Sequence, residues 1–205
     1  MILRMSSNRL LRWPLGVLLL ISTSLAGCVS LLSVHTLPTM LPATWDARRE
    51  TLQSWGRFDS HGRVAIARES EGFSAAWRWS QRAQRSTLEL DGPLGVGGLR
   101  IEFEAEEASN VSSRRALEEQ LGVSLPVESL RYWMLGVPDP RVSVEEQIAA
   151  DAPRLESLRQ HGWTVAFKNY APVSGANYEL PRRIEATRES LRVRLIIEGW
   201  TGGVR

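Results

Sequence analysis

Phe73-Ser74-Ala75-Ala76-Trp77-Arg78-Trp79-Ser80, residues 73–80, decides the fold class. In an extended chain Phe73, Ala75, Trp77 and Trp79 fall on one face, and Ser74, Ala76, Arg78 and Ser80 on the other. A period of two is the mark of an antiparallel strand with one dry and one wet face. The pattern recurs on both sides. Val64 and Ile66 alternate with Arg63 and Ala65, Leu88 and Leu90 with Thr87 and Glu89, and Leu99, Ile101 and Phe103 with Arg100, Glu102 and Glu104. Further along, Trp163, Val165 and Phe167 alternate with Thr164 and Lys168. Leu191, Val193, Leu195 and Ile197 alternate with Arg192, Arg194 and Glu198. Ser60-His61-Gly62, Asp91-Gly92-Pro93 and His161-Gly162 read as turns between strands.

Elsewhere the period is helical. Residues 44–55 predict an amphipathic helix, with Thr44 as cap, Asp46 in the first turn, and Trp45, Leu52 and Trp55 near one face. Residues 114–121 group Ala116, Leu117 and Leu121, and Gly122 suits the stop. Pro126 opens another helix at its first position, with Leu130, Trp133 and Met134 apolar and Gly136 at its end. Helix, strands, two helices and more strands predict one α+β domain: a curved antiparallel sheet with helices covering its concave face.

The 205 residues are 43% hydrophobic and 23% charged, ordinary globular composition for one or two domains. The single cysteine excludes a disulfide framework, a cysteine-rich zinc site and a CxxC redox centre. Formal net charge is +2, but Arg4, Arg9 and Arg12 lie in a leader. Without them 22 basic residues face 23 acidic ones, near −1. That balance speaks against nucleic acid as a partner. Residues 1–27 read as a lipoprotein signal peptide. The three arginines precede an apolar run, Trp13 to Leu25, that ends at the lipobox Leu25-Ala26-Gly27-Cys28. The thiol of Cys28 would take a diacylglycerol thioether; in lipoproteins of Gram-negative bacteria an aspartate at the next position commonly means inner-membrane retention, so by that rule of such lipoproteins Val29 points to the outer membrane. Residues 28–43 form a lipidated N-terminus and tether reaching roughly 50 Å when stretched. The domain proper runs over 44–205.

Seven of the eight tryptophans follow Cys28. A one-sided apolar sheet under few helices leaves either a filled aromatic core or a hollow that suits an acyl chain, and alternation alone does not separate the two. The segment from Asp91 to Gly98 carries four glycines but no GK[ST] and no GxGxxG, so it reads as a hairpin with Leu94 at its tip and not as a phosphate cradle. His35 lies in the tether, while His61 and His161 precede glycines in turns. No G-x-S-x-G and no HExxH is present, which leaves a periplasmic hydrolase without support. A structural or scaffolding outer-membrane lipoprotein with a solid core is a further alternative.

Eight motifs in order carry a resemblance: the lipobox; Trp55-Gly56-Arg57 with Gly62-Arg63-Val64-Ala65; Trp77-Arg78-Trp79-Ser80-Gln81; Leu88-Glu89-Leu90-Asp91-Gly92-Pro93-Leu94-Gly95; Leu130 to Pro138; Gln160-His161-Gly162-Trp163-Thr164-Val165; Leu180-Pro181-Arg182; and Leu195 to Trp200. The chain resembles the LolB family of outer-membrane lipoprotein localisation factors over about residues 45–200, with 105–124 and 139–154 fitting less well. The resemblance implies a half-barrel of antiparallel strands under helices and an apolar cavity. It implies a carrier that is not an enzyme and has no cofactor or metal. It would accept lipoproteins from the periplasmic carrier LolA and insert them into the outer membrane, anchored on the periplasmic face through Cys28. Partners would be LolA, lipoprotein acyl chains and outer-membrane lipid. Pro93, Leu94 and Gly95 match the family's membrane-insertion loop. From alternation, the cavity is expected to be lined by Trp77, Trp79, Leu88, Leu90, Leu99, Ile101, Phe103, Leu130, Trp133, Met134, Val165 and Leu195. Arg63, Arg78 and Arg182 are weak candidates for meeting an acidic carrier.

Overall fold

Thr44 takes an extended backbone and its Oγ1 accepts from the Ala47 N–H at 3.3 Å, which starts α1 (Trp45–Gln53). That helix opens a computed structural model that describes residues 44–69, 71–92, 98–104, 110–173 and 178–201. The signal segment, the tether with Cys28, and Pro93, Leu94 and Gly95 lie outside the described residues. After α1 come β1 (Arg57–Arg68), β2 (Glu71–Arg82), β3 (Arg85–Asp91) and β4 (Leu99–Phe103). Two helices follow, α2 (Val111–Leu121) and α3 (Val127–Met134). The chain then returns as β5 (Glu145–Ile148), β6 (Leu155–Gln160), β7 (Trp163–Pro172), β8 (Glu179–Arg188) and β9 (Leu191–Thr201).

The nine strands form one antiparallel sheet in the order β4-β3-β2-β1-β9-β8-β7-β6-β5. It is two meanders joined where β1 pairs with β9, and it stays open at β4 and β5. With three helices this is an α+β open half-barrel. The segment bearing α2 and α3 carries the chain from one edge strand to the other. The dry face is the one that alternation marks: Trp77 and Trp79 are 2% and 3% exposed, whereas Arg78 between them is exposed. Gly122, in the left-handed region at φ 66°, ends α2. Pro126 caps α3 from outside, one place earlier than its expected first position.

Ser60-His61-Gly62 is not a turn. It lies inside β1, where the pairing with β9 shifts register between His61 and Gly62. A Cβ on Gly62 would clash with the Ile196 carbonyl oxygen, so the glycine serves a close strand approach at a bulge. His61 in turn sits over Gly199, where any Cβ would strike the imidazole. His161-Gly162 is the expected turn, with φ 52° and 73°, joining β6 to β7.

Candidate functional site

The dry faces of five neighbouring strands meet a helix to enclose a partly open cavity of about 60 Å³. Val64 and Ile66 come from β1, Trp77 and Trp79 from β2, Leu88 and Leu90 from β3, Ile184 and Ala186 from β8, and Val193 and Leu195 from β9. Leu130, Trp133 and Met134 of α3 face them, with Leu121 and Leu125. No lining residue is charged, and the only polar side-chain groups among them are indole N–H groups.

The polar ends of two lining tryptophans are drawn away from the cavity. Trp79 Nε1 donates to Gln81 Oε1 at 3.2 Å, and Trp133 Nε1 donates to Gln160 Oε1 at 3.0 Å. Neither glutamine lines the cavity. Trp77 Nε1 is buried without a partner among the described residues.

Gln160 also holds the end of α3. It accepts from the Asp139 N–H at 3.0 Å and donates to the carbonyls of Asp139 and Val142 at 2.9 and 3.0 Å. Ser129 Oγ donates to Asp139 at 2.9 Å, and Arg141 pairs with the same carboxylate at 2.7 Å. Burial pushes the Asp139 carboxyl up, but the hydrogen bonds from Arg141 and Ser129 outweigh it and leave the pKa lowered.

Eight of the residues expected in the cavity meet there: Trp77, Trp79, Leu88, Leu90, Leu130, Trp133, Met134 and Leu195. Leu99, Ile101, Phe103 and Val165 do not line it. The first three lie on edge strand β4, whose outer side meets α2: Ser113 Oγ donates to the Glu102 carbonyl at 2.7 Å. Val165 is buried on β7, one strand beyond the cavity wall. Val64, Ile66 and Val193 are lining residues that the alternation had placed on the dry face without assigning them to a cavity. Ile184 and Ala186 come from a strand that Pro181 concealed.

The wet face is ionic. Arg63 pairs with Glu198 at 2.7 Å, Arg78 with Glu89 at 2.8 Å and Asp91 at 2.9 Å, and Arg182 donates to the Glu198 carbonyl at 2.9 Å. Asp59, two residues from His61, accepts from Ser80 Oγ at 2.6 Å and from Arg82 at 2.8 Å. A hydrolytic relay needs the serine on the imidazole; here it bonds the carboxylate directly. Among the described residues no helix is long and apolar enough to cross a membrane.

An open half-barrel whose dry face backs onto a wholly apolar chamber defines a class of proteins built around a hydrophobic interior site. Residues 56–200 match the family described as Outer membrane lipoprotein LolB. The outer-membrane lipoprotein LolB of Halorhodospira halophila is 33% identical over 202 residues, covering 93% of this chain and 97% of that one. Its namesake in Nitrosococcus oceani is 32% identical over 205 residues, covering 94% and 100%. That of Pseudomonas aeruginosa is 33% identical over 187 residues, covering 86% and 90%. The chain belongs to the LolB family.

Proposed function

We propose that this chain is an outer-membrane lipoprotein receptor that takes lipoproteins from a LolA-like periplasmic carrier and places them in the outer membrane. The observation that carries the reading is the apolar cavity at the centre of the dry face. Family membership supports the cargo. No bond is made or broken. Each buried methylene contributes about 0.8 kcal/mol, so releasing a 16-carbon chain into water costs roughly 12 kcal/mol. Direct passage between apolar sites avoids that state. With no nucleotide motif in the sequence, direction follows differential affinity: receiver over donor, and bilayer over receiver.

The cavity, at about 60 Å³, is small in the state described. An empty apolar cavity of about 150 Å³ takes a six-carbon aromatic, so a 16-carbon chain needs on the order of 400 Å³. Loading therefore requires α2 and α3, which we take to cover the concave face, to lift from the sheet. Leu94 would then act as the apolar wedge into the inner leaflet, with Cys28 anchoring the body through its tether.

The test uses the full mature chain in outer-membrane vesicles, mixed with lipoprotein held by the carrier. Cargo is expected to move to the vesicle fraction only when the chain is present. The Leu94→Glu variant should bind cargo and fail to deliver it. Delivery at equal rate to vesicles lacking the chain would overturn the receptor reading.

A further inference from the structure

The described cavity is too small for a chain and needs a way in. A second recess, about 140 Å³, lies between the turn end of the β1–β2 hairpin and the end of α2. Its walls are Ile66, Phe73, Leu121 and Val123, with Gly72 and Gly122 between them and Arg68 and Glu71 at the rim. Ile66 and Leu121 also line the apolar cavity. The two spaces are therefore neighbours separated by these two side chains.

The helical cover is held differently along its length. The C-terminal end of α3 is pinned through Trp133, Asp139 and Gln160 by the buried hydrogen bonds given above. Leu121, Val123 and Leu125, in the link between α2 and α3, carry no polar side-chain atom; the polar ties there flank the link, Asn110 Nδ2 donating to Glu128 Oε1 at 2.9 Å and Arg114 pairing with the same carboxylate at 3.5 Å. Leu121 and Val123 are 9% and 4% exposed. Gly122 has open space around its Cβ position, so the chain there is not wedged in place.

We propose that acyl chains pass into and out of the cavity through the groove between the β1–β2 turn and Leu121–Val123, with Ile66 and Leu121 as the gate shared by groove and chamber. The inference rests on the receptor reading and specifies its route. Phe73 and Val123 give the moving chain an apolar track. Arg68 and Glu71 offer the polar rim where the glyceryl and peptide parts of the cargo stay in water. Asp91 and Leu99, which flank the segment with Leu94, lie toward the same end of the sheet: β3 ends opposite Ala76 of β2, and β2 begins at Glu71 beside the turn.

The experiment is time-resolved photocrosslinking in the full lipid-anchored chain. A benzophenone amino acid replaces Phe73, Trp79 or Phe103 in separate chains, and the donor is a carrier-bound lipoprotein with tritiated palmitoyl chains. Position 79 reports the cavity and position 103 the edge strand outside it. Crosslinking at 73 should rise before that at 79 and then fall by at least threefold, while 103 stays at background. Phe73 is partly exposed, so the aromatic exchange is tolerated; a diazirine leucine at Val123, with the same three side-chain carbons plus the two diazirine nitrogens, repeats the test. Label at 79 with neither 73 nor 123 above the level at 103 overturns the route. No label at 79 overturns the receptor reading on which it rests.

Discussion

At the scale of single residues, two positions show how sequence constraints differ from their first appearance. Gly62 looks like half of a turn signal, yet it lies in mid-strand because the Ile196 carbonyl occupies the space a side chain would need. Gly62→Ala is expected to cost about 1–3 kcal/mol, the range for forcing volume into a packed site. Urea denaturation would show it as a lower midpoint at unchanged slope. Gly72→Ala, where a Cβ would be 3.7 Å from its nearest neighbour, is the control and should stay close to the parent. Glu185 is the second position. The hydrogen bond from Lys168 at 2.7 Å, and then that from Arg183, hold its carboxyl at about 2. The folded pKa lies below the ordinary 4.5, so the ion pairs contribute fully above that value and are lost as pH falls through about 2. Carboxyl NMR should find the midpoint there, and Lys168→Met should move it upward toward the ordinary value.

At the scale of elements, β2, β3, β4, β7 and β9 were legible because one of their faces is wet, and a wet face imprints period two on the sequence. β8 was not: Pro181 interrupts it, and the adjacent Arg182 and Arg183 break the alternation, though Leu180, Ile184 and Ala186 are buried. β6 spaces its buried residues Leu155, Leu158 and Gln160 unevenly, and β5 is a short, mostly exposed edge with Glu145 and Glu146, so neither shows an apolar stripe. The apolar face of α3 could be read, but not that Gln160 from β6 pins its end, because a contact across 27 positions leaves no local period. Gln160→Leu would strip partners from Trp133 Nε1 and the Asp139 N–H together. The expected loss is about 3 kcal/mol, since each buried donor left unpaired costs about 1–3 kcal/mol. Gln147→Leu on the exposed face of β5 should change stability by less than about 0.5 kcal/mol. Thermal unfolding of the two variants side by side checks the contrast.

At the scale of the molecule, the dry face was readable and the space behind it was not, because volume depends on how two layers of side chains from distant segments interleave. Leu99, Ile101, Phe103 and Val165 share the alternation of the lining residues, yet they sit on strands beyond the cavity wall. Position in the sheet, which follows only from the β1–β9 closure, separates the two groups. The tryptophans make this separation measurable. Trp77, Trp79 and Trp133 line the cavity, whereas Trp45, Trp55, Trp163 and Trp200 are buried elsewhere. A palmitoyl chain brominated near its end quenches only indoles it touches. Loading it should remove the part of the emission that belongs to the three lining residues and leave the other four bright. Replacing the three by phenylalanine keeps the walls apolar and should abolish the quenching while the brominated chain still binds. Binding can be followed independently, because a ligand at about 100 times its Kd stabilises the fold by about 2.7 kcal/mol and raises Tm. Undiminished quenching in the triple variant would mean that the chain lodges against the remaining tryptophans and that the cavity is not its seat.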